Sequence, residues 1–439
     1  MKNILVLGAG LVAQPGVEYL LKQSDLHVTV AEQYRDKAEN LINNYKNGTA
    51  VELDVNNEIE LSKLISQNEI IISLLPWTFH VHIAKLCLNY NKHLVTASYV
   101  SDEMKELNEK AKSKGLLFLN EIGLDPGIDH MSAMQIIDKV HFDGGQIEHF
   151  KSFCGGLPSP QHNDNPFGYK FSWSPKGVLL ASKNPARYLK NGNIIEIDGK
   201  DLFLNYNISS VKGLGKFEIY PNRDSVPYQN IYNIQEALTV LRGTYRNLGW
   251  CDTFKAIVDL DLVSDTIITE LVGMTNSNIM RKLISNYDCN VKDNVAKFLN
   301  INTNCNVINR LEWLGLFSDK ITSNNNNYLD FLSELLQAKL SYLDGEIDMV
   351  ILQHEFIVIN KDGSRDKLTS TLIDYGIENG ASSMARTVSL PLAIAVKLIA
   401  DKKITLTGVH IPIKKEIYEP VLLELKSQNI ILTETITAI

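Results

Sequence analysis

The N-terminal stretch "NILVLGAGLVA" limits the fold of this chain more than any other part of the sequence. An apolar run is followed at once by Gly8, Gly10 and Ala13, in a G-x-G-x-x-A spacing. In a strand–turn–helix unit the first glycine allows a tight turn, the second lets the backbone approach a pyrophosphate, and the alanine lets helix and strand pack closely. The start of the helix adds free N–H groups and partial positive charge. The position therefore predicts a dinucleotide-binding βαβ unit.

The pattern that follows predicts the fold class. Up to about residue 120, short β-branched runs alternate with amphipathic stretches, which is typical of a Rossmann-like, doubly wound parallel sheet. From about residue 145 the strand-like runs lose their regular intervening helices, so a mixed or antiparallel sheet is expected there. The predicted fold class is α/β: a Rossmann-like doubly wound parallel sheet, a mixed-sheet α/β domain and a helical subdomain.

The spacing of apolar residues also predicts individual elements of the later part of the chain. Residues 230–345 are expected to be mostly helical, because "NIQEALTVLRGTYRNLGW" and "YLDFLSELLQAKLSYL" carry apolar residues at helical spacing. The stretch "YKFSWS" is predicted to be a strand. "MVILQHEFIVIN" and "KLTSTLIDYG" are predicted to form a hairpin around "KDGS". The apolar run in "MARTVSLPLAIAVKLIA" is interrupted by Lys397 and is too short for a bilayer, so we expect a buried helix.

Bulk composition narrows the classes of partner. A net charge of −8 over 439 residues argues against nucleic-acid binding by the whole surface. The N-terminus lacks the pattern of a signal peptide, and no membrane association is expected. The cysteines show no metal-binding or paired spacing and indicate reduced thiols in the cytoplasm; they are Cys87, Cys154, Cys251, Cys289 and Cys305. His80 and His82 have no third ligand at suitable spacing, so no metal site is predicted.

Glu32 ends the second predicted strand and bears on the choice of cofactor. A carboxylate at this point can accept both ribose hydroxyls of NAD and would repel a 2′-phosphate. Arg35 lies three residues further on and could serve a 2′-phosphate. NAD is therefore predicted, with NADP left open. Asp54 ends the third strand and is placed near the adenine, although surface polarity explains it equally well.

Two polar segments end the fifth and sixth predicted strands. Ser98 and Tyr99 lie in "TASY", and Asp125 lies in the turn "GLDPG". Ligands of open α/β sheets bind at the carboxyl ends of strands, which places these side chains where cofactor and substrate meet. The alternative for Asp125 is an Asx-type turn that bonds local N–H groups. Cys154, beside two glycines, is either at a ligand or a buried strand cysteine.

Three arginines in the second half of the chain indicate an anionic ligand. Arg223 lies in "YPNRDS", and Arg242 and Arg246 lie four residues apart in "LRGTYR". A guanidinium grips a carboxylate through two parallel hydrogen bonds. A solvated surface is the alternative for any one of them.

Together these stretches resemble the L-glutamate-forming saccharopine dehydrogenases, also called saccharopine reductases, and the dehydrogenase half of the animal bifunctional aminoadipic semialdehyde synthase. The segments that carry the resemblance are "GAGLVAQP", "SLLPWTFH", "TASYV", "EIGLDPGIDHM", "CGGLPSP", "NPFGYKFSWSPKGVLL", "YPNRDS", "LRGTYRNLGW", "EWLGLF" and "MARTVSLPLA". They cover nearly the whole chain. The chain departs from fungal members at "AEQYR", where those usually carry an Arg-Thr pair suited to NADP.

The resemblance implies three domains. A Rossmann NAD(P)-binding domain would span 1–124 and be completed by C-terminal helices at 384–439. A saccharopine-binding and dimerisation domain would take 125–229 and 346–383, and a helical subdomain 230–345. The expected assembly is a homodimer.

The resemblance also implies site residues. Saccharopine would be bound by Ser98, Tyr99, Asp125, Arg223, Thr244, Tyr245 and Arg246. The nicotinamide cofactor would be contacted by Gly8, Gly10, Leu11, Val12, Glu32, Asp54, Leu75, Pro76, Leu124, Asp125, Gly127 and Ser174. Candidates for proton handling are Tyr99, Asp125 and Cys154.

The activity so implied is oxidation of saccharopine by NAD(P)⁺ and water to L-glutamate and 2-aminoadipate 6-semialdehyde, in lysine metabolism. Its direction in the cell is left open. The alternatives are a relative that reduces another imine, in carboxynorspermidine or homospermidine synthesis, or a non-catalytic NAD-binding regulatory protein.

Overall fold

A computed structural model describes residues 1–288, 290–321 and 324–439. The predicted thiol Cys289 lies outside the described residues. The chain forms two compact units. The first comprises Met1–Gly145, Asn360–Asp362 and Ser370–Glu434, and the second comprises Gln146–Ile359, Gly363–Thr369 and Thr435–Ile439. Residues 230–345 belong to the second unit, and the first unit runs to Gly145. The three-domain division implied by the family resemblance stays a prediction.

The N-terminal part of the first unit alternates strands and helices, as the sequence predicts. The strands are β1 (Lys2–Leu7), β2 (Leu26–Glu32), β3 (Gly48–Glu52), β4 (Ile70–Ser73), β5 (His93–Thr96) and β6 (Leu117–Leu119). The helices are α1 (Gln14–Leu21), α2 (Arg35–Ile42), α3 (Glu58–Ser66), α4 (His80–Tyr90), α5 (Asp102–Lys105), α6 (Asn108–Ser113) and α7 (Ile128–Phe142). A 3-10 turn, Trp77–Phe79, precedes α4.

The second unit carries longer strands. They are β7 (Gln146–Pro158), β8 (Ala186–Lys190), β9 (Asn193–Ile197), β10 (Asn207–Val211), β11 (Gly215–Pro221), β12 (Thr239–Arg246) and β13 (Asp348–Ile359). Its helices are α8 (Pro175–Ala181), α9 (Tyr228–Ile231), α10 (Trp250–Asp259), α11 (Asn276–Leu283), α12 (Val291–Phe298), α13 (Asn306–Leu314) and α14 (Tyr328–Leu340). Further 3-10 turns are Pro160–His162, Gly199–Leu204 and Thr269–Leu271.

The chain then ends with elements assigned mostly to the first unit. These are β14 (Arg365–Tyr375), α15 (Ser383–Ala400), β15 (Gly408–His410), α16 (Lys415–Ser427) and β16 (Leu432–Ala438). The buried helix predicted from "MARTVSLPLAIAVKLIA" is confirmed as α15. By length and composition α15 could cross a membrane, but 83% of it is buried inside the structure.

Sheet order matches the predicted class. Within the described residues the first unit holds a seven-stranded sheet in the order β15-β6-β5-β4-β1-β2-β3, and neighbouring strands pair in parallel. A second, nine-stranded sheet runs β10-β11-β12-β7-β13-β14-β16, with β8 and β9 joined at β12. It is mixed: β7 pairs β12 in parallel and β13 antiparallel. The Rossmann-like sheet and the mixed sheet are confirmed.

Two local predictions are wrong. The helix expected over "NIQEALTVLRGTYRNLGW" is replaced in its middle by β12, because Thr239–Arg246 finds partners on both sides in β7 and β11. Tertiary pairing here overrides apolar spacing that also fits a helix. The strand expected for "YKFSWS" does not form, and these residues are irregular up to the start of α8.

The core of the first unit lies between the parallel sheet and its helices. Leu5, Ile71, Leu94 and Phe118 come from four neighbouring strands and are fully buried against α4 residues such as Ile83. Because strands buried on both faces need continuous apolar runs, "NILVL" and "EIII" form the centre of the sheet.

Gly16 explains how α15 joins this unit. Its N–H donates to Ser389 Oγ at 2.9 Å, and a Cβ at Gly16 would lie 2.7 Å from the Ser389 carbonyl oxygen. Only a glycine therefore permits α1 and α15 to approach this closely.

We predict that Gly16→Ala destabilises the protein by about 1–3 kcal/mol, because the new methyl group overlaps backbone rather than a movable side chain. Urea unfolding measures the change. Gly10→Ala is the matched control, since a Cβ there meets no described atom within 4 Å. Equal stability of the two variants would show that the helices do not need this contact.

Candidate functional site

The carboxyl edge of the parallel sheet gathers most of the predicted cofactor contacts. Gly8 follows β1 with φ +102°, a left-handed conformation that favours glycine, and a Cβ there would lie 3.3 Å from Leu74 of the loop after β4. At Gly10 a Cβ would meet no described atom within 4 Å. The chain is therefore tight at the first glycine and open at the second, where a pyrophosphate would approach.

The N-terminus of α1 fits an anion. Its N-cap, Ala13, offers no side chain to bond the first N–H groups, and no acidic residue lies in the first turn. Pro15 has no N–H and the Gly16 N–H donates to Ser389 Oγ, so what the helix start offers an anion is mainly the positive end of its dipole. The glycine-rich turn and this helix end together fit the phosphates of a dinucleotide.

Glu32 lies where the sequence predicts it, at the end of β2. Its Oε2 accepts the Ala9 N–H at 2.8 Å, so the carboxylate is held beside the glycine-rich turn. Arg35, the competing cation, is exposed and pairs with Glu39 of its own helix at 2.8 Å.

The other predicted cofactor residues of the first unit differ in their surroundings. Asp54 is exposed and its Oδ1 accepts the Asn56 N–H, which agrees with the alternative interpretation of Asp54 as a surface polar residue. Leu11 and Pro76 are exposed, Val12 and Leu75 are half-buried, and Leu124 and Gly127 are buried. A side-chain role for Leu124 is therefore disfavoured, and its contact would come from the backbone.

Ser98, Tyr99 and Asp125 lie together at the same edge. The Tyr99 hydroxyl donates to Asp125 Oδ1 at 3.0 Å. The turn that holds Asp125 closes on itself, with the Gly123 N–H donating to the Pro126 carbonyl and the Ile128 N–H to the Gly123 carbonyl. Asp125 is half-buried, so a phenol and a carboxylate are offered side by side.

His80 is not among the residues predicted for the site, but in the structure it is hydrogen-bonded to Ser98. His80 is buried at the start of α4; its Nε2 lies 2.8 Å from Ser98 Oγ and its Nδ1 2.9 Å from Ser73 Oγ. Burial lowers the pKa of His80 to about 4. The imidazole is therefore neutral at physiological pH and bonds Ser98 without adding charge.

In the second unit, Arg246 is the notable predicted residue. It is 6% exposed, and Nη1 donates to the Tyr245 carbonyl at 2.9 Å. The guanidinium carbon lies 5.0 Å from the ring centre of Tyr169 and 5.1 Å from that of Trp250. Among the described residues, Arg246 Nε and Trp250 Nε1 are buried and have no hydrogen-bond partner.

Thr244 and Tyr245, the two residues before Arg246 in β12, point to opposite faces of the sheet. Thr244 is half-buried on the Arg246 side of β12, because strand residues alternate between faces. Tyr245 is fully buried, its hydroxyl donates to Gln353 at 2.9 Å, and burial raises its pKa. The Tyr245 side chain thus belongs to the core, and only its backbone could contact a ligand.

The remaining predicted residues lie on three elements of the second unit. Cys154 is buried in β7, opposite Thr244 in the sheet register, and forms no disulfide. Arg223 is exposed after β11 with φ +58°. Ser174 caps α8, its Oγ accepting the Gly177 N–H at 3.2 Å. Arg242 is buried with its guanidinium 4.4 Å from the Tyr228 ring centre.

A metal centre is not suggested by side-chain grouping. Within the ranges that the structure describes, no three His, Cys, Asp or Glu residues are arranged to hold a metal ion.

We predict that His80 makes the stability depend on pH. A histidine whose pKa falls from 6.5 to about 4 on folding binds fewer protons in the folded state, so the folded protein loses stability as pH drops through this interval. Relative to His80→Gln, the wild type should lose about 2 kcal/mol of unfolding free energy between pH 7.5 and pH 5.

Urea unfolding at both pH values tests this. His82→Gln, which removes an exposed histidine of the same helix, is the control and should keep the wild-type pH dependence. An unchanged pH dependence in His80→Gln would contradict the assignment.

Comparison with known proteins identifies the family of the chain. Residues 4–119 match the family model of the saccharopine dehydrogenase NADP binding domain, and residues 123–431 match that of the saccharopine dehydrogenase C-terminal domain. The chain is 40% identical to saccharopine dehydrogenase [NADP(+), L-glutamate-forming] of Schizosaccharomyces pombe, over 99% of both chains. It is 39% identical to alpha-aminoadipic semialdehyde synthase, mitochondrial, of Bos taurus, covering 98% of this chain and 47% of that protein.

A solved structure shows the same fold. Apo saccharopine dehydrogenase (L-Glu forming) from Saccharomyces cerevisiae superposes with a TM-score of 0.91 at 38% identity, over the full length of both chains. The two family models together span nearly the whole sequence, and the relatives exceed the identity at which a shared family is secure. The chain belongs to the saccharopine dehydrogenase family.

Proposed function

We propose that this chain oxidises saccharopine with a nicotinamide cofactor and water, giving L-glutamate and 2-aminoadipate 6-semialdehyde. Family membership and the names of its relatives support the reaction. The observation that carries the substrate class is Arg246, a buried guanidinium for which the described residues supply no ion-pair partner.

That arrangement is costly unless an anion completes it. A buried charge without a counter-charge is strongly unfavourable, and an arginine stays protonated in proteins. Stacking over Tyr169 and Trp250 offsets part of the cost, but it leaves the Nε donor unused. A substrate carboxylate supplies both the negative charge and the acceptor, and saccharopine carries three carboxylates.

The chemistry asks for a base near the reacting amine. The secondary amine of saccharopine must lose its proton before a hydride can leave the neighbouring carbon. When bound, the nicotinamide supplies the hydride acceptor. In our proposal the Asp125–Tyr99 pair holds the amine proton, because the carboxylate accepts it and the 3.0 Å bond from the phenol steadies the acceptor. Cys154 remains a further candidate for proton handling.

The direct test is purified protein with saccharopine and either nicotinamide cofactor. We expect formation of the reduced nicotinamide, followed by its absorbance, together with stoichiometric glutamate. A protein that binds the cofactor yet turns over no saccharopine would contradict the proposal. Turnover of polyamine-derived imines instead would favour a carboxynorspermidine or homospermidine type of activity.

We predict that Arg246→Met raises the KM for saccharopine about ten- to hundredfold, because one charge-assisted pair contributes about 1.5–3 kcal/mol. The KM for the cofactor should stay unchanged. In the absence of ligand the unfolding midpoint should stay level or rise, since the variant removes an unpaired buried charge.

The control for that variant is Arg281→Met, because Arg281 belongs to the same unit and bonds Ser277 and Asn278 locally. It should leave both KM values unchanged. An unchanged KM for saccharopine in Arg246→Met would remove the carboxylate role.

We further propose that NAD is preferred to NADP. The Glu32 carboxylate, held by the Ala9 N–H, suits ribose hydroxyls and opposes a 2′-phosphate. The relatives named for NADP(+) are the fungal enzymes, so the proposal concerns a local difference at the end of β2. The family model that matches residues 4–119 is also named for NADP binding, and for this chain it supports a nicotinamide dinucleotide cofactor.

We predict a higher kcat/KM with NAD than with NADP. Glu32→Gln should lower the ratio of kcat/KM with NAD to kcat/KM with NADP about tenfold, equivalent to about 1.4 kcal/mol. Asp36→Asn removes an equal charge from an exposed position four residues away and should leave the ratio unchanged. A higher kcat/KM with NADP in the wild type would refute the preference.

A homodimer and a cytoplasmic site of action stay predictions. The described cysteines, Cys87, Cys154, Cys251 and Cys305, form no disulfides, which supports a reducing compartment.

A further inference from the structure

Two buried polar residues flank the Asp125 turn and have no part in the proposed chemistry. Glu121 lies two residues before Gly123, and His130 lies three residues after Gly127; they are 4% and 0% exposed. Glu121 Oε2 and His130 Nε2 are 2.8 Å apart. Since an ionised carboxylate only accepts, the proton of this bond belongs on Nε2. The pair ties the two ends of the turn together.

The second oxygen of Glu121 reaches a different segment. Oε1 accepts the Val100 N–H at 2.9 Å, and the Glu121 N–H donates to the Ser98 carbonyl at 3.1 Å. One residue therefore bonds the backbone on both sides of Tyr99. Tyr99 in turn donates its hydroxyl to Asp125, which stands on the turn that Glu121 and His130 close.

The backbone of Glu121 indicates that its side chain is needed. Its φ is +58°, in the left-handed region, which glycine and asparagine adopt readily and in which a glutamate is strained. Glycine would relieve that strain but could not bond Val100 or His130. A buried carboxylate in a strained conformation is tolerated where its hydrogen bonds do something that a relaxed residue could not.

We propose that Glu121, held by His130, is a positioning residue that sets the orientation of Tyr99 toward Asp125. Glu121 acts through Tyr99 and does not itself touch substrate or cofactor. The inference rests on the proposed function only for its effect on catalysis, because the orientation of Tyr99 is a property of the protein alone.

The test combines two variants of Glu121 with Tyr99→Phe. Glu121→Gly relieves the φ strain and removes the carboxylate; Glu121→Gln keeps an oxygen that accepts the Val100 N–H and an amide that bonds the opposite tautomer of His130. We expect Glu121→Gly to lower kcat/KM for saccharopine about tenfold. In the Tyr99→Phe background the same change should cost less than about twofold, because the group it positions is gone.

A second readout does not depend on activity. Protein labelled with 3-fluorotyrosine gives a fluorine NMR signal for Tyr99, assigned by its loss in Tyr99→Phe. That signal should shift or broaden in Glu121→Gly and return close to its wild-type position in Glu121→Gln. Asn91→Gly is the matched control: Asn91 also has a left-handed φ, of +56°, but it caps α4 and bonds Lys114 at the surface. It should move neither activity nor the Tyr99 signal.

The outcomes separate the two proposals. Equal losses of kcat/KM in both Tyr99 backgrounds, or an unmoved Tyr99 signal in Glu121→Gly, would overturn the positioning role. If Glu121→Gly does not fold, a Glu121→Gln protein with native stability but a displaced Tyr99 signal would overturn it as well. Wild-type protein without activity on saccharopine would refute the proposed reaction, while the fluorine signal would still decide the role of Glu121.

Discussion

The parallel pairing of β1 with β2 on one side and β4 on the other is the constraint on which the first unit depends. Parallel pairing sends every carboxyl end to the same edge, so residues distant in sequence become neighbours without any contact specific to them. Gly10, Glu32, Ser98 and Asp125 meet at that edge for this reason. The continuous apolar runs that bury both faces of the sheet thus also decide where its polar residues gather.

The buried polar groups of the candidate site differ in whether the protein itself satisfies them. His80 and Glu121 have hydrogen-bond partners that satisfy them, and each leads to a residue expected at the substrate: His80 to Ser98, and Glu121 to Tyr99. Arg246 is different, because its charge and its Nε donor lack a partner among the described residues. Satisfied buried groups hold a site in place, whereas an unsatisfied buried charge is where an anionic ligand gains most affinity.

Several residues show why sequence reasoning reached some contacts and missed others. Glu121 and His130 lie inside the quoted stretch "EIGLDPGIDHM", but nothing in their spacing reveals that Glu121 would bond the segment around Tyr99, some twenty residues earlier in the chain. A glutamate between a buried strand and a glycine-rich turn was the available signal. Tyr245 was predicted as a ligand with its neighbours, yet strand alternation turns its side chain into the core.

Local pattern by itself determined the parallel sheet, the glycine-rich turn, the acidic end of β2 and the buried helix α15, because each depends on residues adjacent in sequence and on a period that they repeat. Tertiary structure alone decided that "LRGTYR" is a strand, since β7 and β11 lie on either side of it. It also decided that Arg246 lacks a counter-charge among the described residues, and that Glu121 forms hydrogen bonds with the backbone on both sides of Tyr99. Long-range pairing and burial depend on what the rest of the chain brings alongside, and a single stretch of sequence does not contain that information.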